Sequence, residues 1–263
     1  MKIVEPKVYL LAEMKLNLMA GIGNWLNDLD GMECLSHCEG SDSERLIELA
    51  ARRCYKSFKP GLNPNVTKIR KESALYHENI LKSRHGSVLE HASSTWAFEC
   101  VSRVFTHELV RHRQGTAFSQ ESLRYVRLTD LGFMLPKSIK ENSEASKIFE
   151  ETIVSLEKAQ ASLAKLFDID NSSMNFETKK ILTSAFRRIA PDGLATGIVC
   201  TMNMRALRWL IEHRTSRHAE EEIRIVFDKV ADIAVDRWPM IFQDFKGEEY
   251  NGIREWVPTH SKV

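Results

Sequence analysis

Several common functional signatures are absent from this 263-residue sequence. No GxGxxG follows a predicted strand and no GxxxxGK[ST] occurs, so neither a dinucleotide-binding fold nor a phosphate loop is indicated. GxSxG and HExxH are also missing. No apolar run approaches the about 20 residues of a membrane span, and Glu5 and Glu13 interrupt the N-terminal stretch where a signal peptide is apolar. We therefore expect a cytoplasmic protein without a membrane partner.

Cysteine content and charge balance argue against further classes. Five dispersed cysteines, an odd number in a long chain, do not describe a disulfide framework. Cys34, His37 and Cys38 lie close together, as do His85 and His91, but neither set brings the further ligands of a zinc site. We predict no metal, with a metal site at either place as the minor alternative. The formal charge of +1 argues against sequence-independent nucleic-acid binding.

The composition, with 43% hydrophobic and 28% charged residues, is typical of an ordinary soluble globular protein, and the pattern along the chain favours one α/β domain with a helical insertion. Apolar periodicity predicts strands over residues 7–14, 93–100 and 123–128, and helices after a Ser41–Glu44 capping box, over about 66–84, from Val101 to Arg113, over about 143–167 and over most of 201–235. Gly115 is predicted to cap the helix that ends at Arg113, with residues 114–122 as a loop. Residues 129–142 and the tail from Gly247 read as irregular, and residues 18–40 allow no assignment.

The stretch from His107 to Tyr125 concentrates groups that folding alone does not require. Arg111, Arg113 and Arg124 are accompanied by short hydrogen-bonding side chains. Guanidinium groups placed this close repel one another unless an anion binds them, and their planar forks pair with phosphate or carboxylate. The segment predicts a site for a polyanionic small molecule. A solvated basic helix end is the plainer alternative.

Two further stretches, residues 85–91 and 187–218, also carry cations and hydroxyl groups. Arg187 precedes a Pro-Asp-Gly turn, and Arg214 and His218 would share a helix face. If the three stretches converge, their ligand carries several phosphates or imide-like oxygens.

These residues resemble the signature of the flavin-dependent thymidylate synthases, the ThyX family. The matching blocks are His85-x-Ser87-x-x-Glu90-His91, then Arg111-His112-Arg113 followed by Ser119-Gln-x-Ser-x-Arg-Tyr125, then Arg187-x-x-x-Pro191, and finally Asn203-x-Arg205 with Arg214-x-x-x-His218-x-x-x-Glu222. The resemblance is strongest over residues 45–230. One departure is an extra residue between the RHR triplet and Ser122, which we place in the bend 114–118.

The resemblance implies an α/β (α+β) fold with a central, mostly antiparallel sheet and flanking helices. It implies a single domain over residues 1–263 with a helical insertion at about 140–182. The implied reaction is the reductive methylation of dUMP to dTMP, with methylenetetrahydrofolate as carbon donor and FAD, reduced by NADPH, as hydride carrier. Family members are homotetramers with FAD bound where subunits meet, and we expect the same here.

The resemblance also implies the site residues. Those expected to contact FAD are Ser87, Arg111, His112, Arg113, Gln120, Asn203, Arg205 and Trp209, with Asn203 and Arg205 reaching the flavin from a neighbouring subunit. Those expected to contact dUMP are Glu108, Leu109, Val110, Arg111, Gln120, Glu121, Ser122, Leu123, Arg124, Arg187 and Arg214. Arg187 is expected to come from another subunit, and Arg124 and Arg187 suit the 5′-phosphate. The catalytic role falls to Arg214, because a permanent cation beside the pyrimidine stabilises the ionised imide and makes C5 nucleophilic.

Trp209 and His213 stand where the family more often has Asn and Leu. His91 and His218 either support the site or are buried structural histidines. Ser122 reads as a hydrogen-bonding group, because no His-Asp pair is arranged in sequence to activate it.

Two alternatives stay open. One is an oligomeric nucleotide- or RNA-binding relative without methylation activity, which would interleave exposed aromatics with its cations. The other keeps the fold but has weakened activity because of the extra loop residue.

Overall fold

The computed structural model describes residues 2–123 and 132–263. Its first half contains β1 (Lys2–Ile3), β2 (Lys7–Glu13), α1 (Asn24–Asp28), α2 (Asp42–Tyr55), α3 (Ser73–Lys82), β3 (Ser93–Ser102), α4 (Arg103–Leu109) and β4 (Thr116–Gln120). Its second half contains β5 (Gly132–Phe133), α5 (Lys137–Lys140), α6 (Ser143–Leu166), α7 (Phe176–Phe186), β6 (Ala195–Asn203), α8 (Met204–Arg214), α9 (Glu221–Arg237), β7 (Phe245–Tyr250) and β8 (Ile253–Pro258). The predicted mixed helix-and-sheet class is confirmed.

The strands form three sheets. The largest has the order β2-β3-β6-β4. Strands β1 and β5 pair in parallel, with Lys2 opposite Gly132. Strands β7 and β8 form an antiparallel hairpin, with Phe245 opposite Pro258. None of the described helices is long and apolar enough to cross a membrane.

Two compact units can be distinguished, each built from three stretches of chain. The first consists of Met1–Tyr9, Ala97–Arg111 and Phe118–Val199, and one of its core clusters contains Leu123, Phe133, Ile153 and Leu194. The second consists of Leu10–Trp96, His112–Ala117 and Cys200–Val263, and one of its core clusters contains Leu26, Cys34, Cys38, Leu49 and Phe58. The single domain and its insertion at about 140–182 stay predictions.

Helix α8 shows how local sequence sets the frame of the candidate site. Asn203 caps its N-terminus by accepting the backbone N–H of Ala206 at 2.8 Å. Its buried residues, spaced three and four apart, are Met204, Leu207, Arg208, Leu210 and Ile211. The opposite face, with Trp209 and His213, is left toward solvent.

Several sequence predictions are confirmed. The Ser41–Glu44 capping box is present, with both reciprocal hydrogen bonds, at the start of α2. The strand predicted over residues 93–100 is β3, and it extends to Ser102. The strand predicted over residues 7–14 is β2, and the long helix predicted over 143–167 is α6.

The helix predicted over residues 66–84 is too long. Helix α3 begins only at Ser73, and residues 66–72 have no regular structure. The carbonyl of Arg70 accepts a 2.6 Å hydrogen bond from the buried guanidinium of Arg52. This tertiary contact engages a carbonyl that a helix would have used internally.

The prediction for the RHR segment is wrong in two respects. Helix α4 ends at Leu109, so residues 111–113 follow the helix rather than close it. Residues 116–120 of the predicted loop form β4. Gly115 does adopt a positive φ of 71°, but it precedes a strand instead of capping a helix, and its carbonyl accepts the N–H of Asn203 at 2.9 Å.

The prediction of an irregular tail is also wrong, because residues 245–258 form the β7–β8 hairpin. Residues 129–142, read as irregular, include β5 and the short α5. Of the strand predicted over 123–128, only Leu123 is described, and it lies in a turn. The remaining positions of that strand, with Arg124, lie outside the described residues.

Candidate active site

The central contact of the second unit joins Arg214, the last residue of α8, to His112 of the RHR triplet. The Nε–H of Arg214 donates to His112 Nε2 at 2.8 Å. Burial, the Arg214 charge and His213, in that order, lower the pKa of His112 to about 4. The imidazole is therefore neutral at pH 7, with Nε2 as acceptor and its proton on Nδ1. It orients the guanidinium without cancelling its charge.

The other end of α8 fixes the same segment of chain. A Cβ on Gly115 would lie 2.4 Å from Asn203 Nδ2, so no side chain fits there without displacing Asn203. Thr116 donates its hydroxyl proton to the carbonyl of His112. Residues 112–115 are therefore contacted by both ends of α8. Asn203, the N-cap of the helix, contacts Gly115, and Arg214, its last residue, contacts His112.

Ser87 and Arg205 are placed by a second local arrangement. Ser87 lies in a 3-10 turn, Gly86–His91. The Nη1 of Arg205 donates to Glu90 Oε1 of this turn at 2.6 Å, and both side chains are 41% exposed. A Cβ on Gly86 would lie 2.5 Å from the backbone carbonyl carbon of Val263 and 2.9 Å from Arg205 Nε, so the glycine allows both to approach the turn backbone.

Trp209 and His213 form an aromatic pair on the exposed side of α8. They are one helical turn apart, with ring centroids separated by 3.6 Å and planes inclined at 52°. Trp209 keeps 39% of its surface exposed. The two residues that depart from the family's usual Asn and Leu thus pack against each other.

In the first unit, two of the predicted substrate residues, Gln120 and Glu121, lie at the end of β4. Gln120 Nε2 donates to Thr106 Oγ1 at 3.0 Å. The backbone N–H of Glu121 donates to the Gly197 carbonyl at 3.0 Å, and Glu121 Oε2 accepts from Gly197 N and Thr196 Oγ1, each at 3.4 Å. The main chain here continues the sheet, while the Glu121 carboxylate bridges back to β6.

Arg103 is a candidate residue that the sequence reading missed. Its Nη2 donates to the Glu121 carbonyl at 3.4 Å, and its Nε is buried without a hydrogen-bond partner among residues 2–123 and 132–263. Burial, followed by the charge of Arg187, lowers the pKa of Arg103, although Glu121 and Asp192 oppose this. The charge of Arg187 thus acts on Arg103, and the Nε, unpaired among the described residues, makes the Arg103 guanidinium a candidate for binding an anion.

A sequence signal for Arg103 did exist. It is the first residue of α4, where the helix dipole disfavours a cation. An arginine directly after the Ser102 cap is therefore unfavourable for the helix, which indicates a role in binding instead of in helix stability.

The remaining predicted residues are placed as follows. Glu108 and Leu109 form the last turn of α4, Val110 is its C-cap, and Arg111 follows. Arg113 is exposed in the turn before β4, Ser122 and Leu123 follow β4, and Arg187 opens the 3-10 turn Arg187–Ile189. His91 is exposed at the end of the Gly86–His91 turn, and His218 lies between α8 and α9.

The cysteine pair noted in the sequence is part of a core. Cys34 and Cys38 are buried, with their sulfur atoms 3.6 Å apart, and both belong to the cluster around Leu26 and Phe58. Within the described part of the chain, no group of three or more potential metal ligands occurs.

Comparisons with known proteins identify the family. A family model described as "Thymidylate synthase complementing protein" matches residues 35–240. A flavin-dependent thymidylate synthase of Mycolicibacterium vanbaalenii is 34% identical over 251 residues, which cover 93% of this chain and 92% of the relative. One of Corynebacterium diphtheriae is 34% identical over 212 residues, covering 78% and 80%.

Solved structures share the fold. A UMP/dUMP methylase, PolB, from Streptomyces cacaoi has a TM-score of 0.62 at 18% identity and covers 92% of this chain and 95% of its own. ThyX from Helicobacter pylori has a TM-score of 0.55 at 18% identity, covering 86% and 92%. The chain therefore shares the fold of these two proteins. It belongs to the thymidylate synthase complementing protein family, the family of the flavin-dependent thymidylate synthases.

Proposed function

We propose that this protein is a flavin-dependent thymidylate synthase that converts dUMP to dTMP. Relatives with about a third of their residues identical carry this name, and the ThyX structure from Helicobacter pylori contains FAD and dUMP. The observation that carries the proposal is the 2.8 Å hydrogen bond from Arg214 to the neutral imidazole of His112. A permanent cation held by a neutral acceptor is what an ionising pyrimidine requires.

The residues of the second unit fit FAD chemically. Asn203, Arg205 and Ser87 offer amide, guanidinium and hydroxyl donors suited to pyrophosphate and flavin oxygens. Trp209 presents a partly exposed indole on which a planar ring can stack. When bound, FAD reduced by NADPH supplies the hydride of the reductive methylation. We propose the full predicted set as its contacts, which adds Arg111, His112, Arg113 and Gln120.

For dUMP, we propose two distinct roles for arginine. Arg187, together with Arg103, binds the 5′-phosphate, because guanidinium groups pair with phosphate oxygens and the Nε of Arg103 is buried without a hydrogen-bond partner among the described residues. Arg214 stabilises the negative charge that develops on uracil when its imide ionises, so that C5 can attack the methylene carbon donated by methylenetetrahydrofolate. The remaining proposed dUMP contacts are Glu108, Leu109, Val110, Arg111, Gln120, Glu121, Ser122, Leu123 and Arg124.

We further propose a homotetramer. Large apolar side chains on α6 and α7 are exposed, among them Ile148 at 65%, Phe176 at 66% and Ile181 at 68%. Exposed apolar residues that are this frequent on neighbouring helices are typical of an interface between chains. Size-exclusion chromatography with light scattering measures the assembly, and a monomeric mass would contradict the proposal. A cytoplasmic location stays a prediction.

The activity is tested by anaerobic absorption spectroscopy. The purified protein, supplied with FAD, should show the bands of oxidised flavin, and these should bleach with NADPH and dUMP. Addition of methylenetetrahydrofolate should restore the bands and yield dTMP, measured by chromatography. A parallel sample without dUMP is the control for uncoupled reduction.

The same experiment distinguishes the alternative function. A nucleotide- or RNA-binding relative without methylation activity would bind dUMP or RNA but form no dTMP under any of these conditions. Flavin that neither binds nor bleaches would therefore contradict the catalytic proposal, and calorimetric titration with dUMP would then measure what binding remains.

A further inference from the structure

The turn that follows Arg214 is held by the β7–β8 hairpin. Thr215, completely buried, donates its hydroxyl proton to the Ile211 carbonyl at 2.7 Å. The same hydroxyl oxygen accepts the backbone N–H of Trp256 on β8 at 2.9 Å. The Ile211 carbonyl also accepts the backbone N–H of Thr215 at 3.1 Å, so Thr215 caps α8 through both its main chain and its hydroxyl, and the hydroxyl ties this helix end to β8.

Glu255, next to Trp256 on β8, holds the following two residues of the turn. Its carboxylate accepts the backbone N–H of Arg217 at 3.3 Å and the Nε–H of Arg217 at 2.8 Å, and it also bonds the Ser216 side chain. Burial alone would raise the pKa of Glu255, but these hydrogen bonds and the Arg217 charge outweigh burial and hold the pKa below its ordinary value. Glu255 is thus an ionised acceptor with several donors from one turn.

A third attachment comes from Arg224 of α9. Its Nε donates to the Thr215 carbonyl at 3.4 Å, and its Nη2 lies 3.4 Å from the Tyr250 carbonyl and 3.5 Å from that of Ile253. The Tyr250 ring lies 5.6 Å from this guanidinium and 5.3 Å from that of Arg217. Helix α9 and the hairpin therefore restrain the same short turn.

We propose that Glu255 is a positioning residue for Arg214. By fixing Ser216 and Arg217, it prevents the last turn of α8 from fraying and keeps the Arg214 guanidinium on the imidazole of His112. Glu255 lies beyond residues 35–240, which the family model matches. The kinetic part of this inference rests on the proposed role of Arg214 in dUMP methylation.

The principal test variant is Glu255→Gln, which keeps the shape of the side chain and removes its charge. We expect kcat to fall about 10- to 100-fold, because small displacements of a catalytic group cost up to that much. KM for dUMP should stay within about twofold, since Glu255 does not itself contact the substrate. Arg217→Gln should act in the same direction but less, because Ser216 and the backbone still bond Glu255. The double variant should be no worse than Glu255→Gln alone.

A second readout does not depend on activity. In Glu255→Gln, NMR titration of histidine-labelled protein should show the pKa of His112 rising above about 4, because the Arg214 charge withdraws while the burial that also lowers this pKa remains. Arg214 and His213 are the charged or titratable groups that act on His112 in this unit, and His213 is unchanged by the variant.

The matched control is Arg254→Gln, one residue earlier on β8. Arg254 pairs with Asp228 at 2.9 Å and with Asp232, both on α9, so its loss loosens the hairpin without touching residues 215–220. This variant should lower the melting temperature while leaving kcat and the His112 titration unchanged.

Three outcomes separate the possibilities. If Glu255→Gln behaves like Arg254→Gln, or lowers kcat without moving the His112 titration, Glu255 is not a positioning residue and the inference is overturned. If the titration moves and kcat falls, the inference is supported. If the wild-type protein makes no dTMP, the proposed function fails, but the His112 titration still decides whether Glu255 positions Arg214.

Discussion

Two arginines of the candidate site differ in the partner that meets their charge. Arg214 meets the neutral imidazole of His112, which accepts its Nε–H. The pKa of Arg103 is lowered by burial and by the charge of a second cation, Arg187. A neutral acceptor orients a charge without neutralising it, whereas the charge of a second cation favours the binding of an anion. The first arrangement suits stabilisation of a transition state, and the second suits substrate binding.

The largest expected effect concerns Arg214. Arg214→Ala should lower kcat about 10²- to 10³-fold, because it removes a preorganised charge at the reacting group. The kcat of Arg214→Lys should lie between that of the wild type and that of Arg214→Ala, since lysine keeps the charge but lacks the planar fork that His112 orients. Initial rates of dTMP formation at saturating dUMP measure the effect. An Arg214→Ala variant with full kcat would remove the distinction between the two arginines.

The next effect concerns Arg187, which we propose to bind the 5′-phosphate together with Arg103. Arg187→Ala should raise KM for dUMP about 10- to 100-fold, the range expected when charge-assisted hydrogen bonds to a phosphate are lost. kcat should change much less than for Arg214→Ala. Arg188→Ala, one residue further in the same 3-10 turn, is the matched control and should leave KM unchanged. Equal effects of both substitutions would indicate a general surface charge instead of a phosphate site.

A smaller effect tests how the segment with His112 is held. Gly115 and Gly61 both have positive φ, of 71° and 88°, but only Gly115 has neighbours where a Cβ would lie. Gly61→Ala should lower the free energy of unfolding by about 1 kcal/mol, from backbone strain alone. Gly115→Ala should lower the free energy of unfolding by about 1–2 kcal/mol more than Gly61→Ala does, because Asn203 must move. Urea denaturation measures both, and equal midpoints would show that Asn203 yields without cost.

The smallest effect is a pH dependence of stability. The unfolded state binds a proton on His112 near pH 6.5, whereas the folded state does so only near pH 4. The free energy of unfolding should therefore decrease as pH falls from 6.5 to 4, and this contribution should stay constant below that. Because the ring is only half-buried, we expect about 1 kcal/mol.

His112→Gln keeps an acceptor for Arg214 but does not titrate, so it should lack this part of the pH dependence. His107→Gln, at an exposed histidine on α4, is the matched control. Thermal melts between pH 7 and pH 4 measure the difference. Identical curves for wild type and His112→Gln would show that His112 is not held neutral.

Local sequence predicted the elements whose stability is local. The α2 capping box, the alternating β3 and the long amphipathic α6 were all recognised, because side-chain period and capping are properties of neighbouring residues. The β7–β8 hairpin was missed because its FKGEEY and IREWVP strands carry charged and aromatic residues without clean alternation. Contacts with Thr215 and Arg217, far away in sequence, hold it in place.

The candidate site divides in the same way. Residue types and spacing were enough to predict the family and to select His112, Asn203, Arg205 and Arg214. They did not select Arg103, whose pKa and proposed role depend on the charge of Arg187, 84 positions further along the chain. They also predicted a helix end and a loop where β4 forms, since strand pairing is a long-range choice that propensity does not decide.

The sequence by itself thus determined the mixed fold class, the family and the cations that a polyanionic ligand needs. Only the tertiary structure decided the state of those groups. Whether His112 is charged depends on burial and on Arg214, 102 residues away. Whether Arg214 is held in place depends on a hairpin beyond residue 240. Protonation and position are set by the neighbours that folding brings together, and those neighbours are not adjacent in sequence.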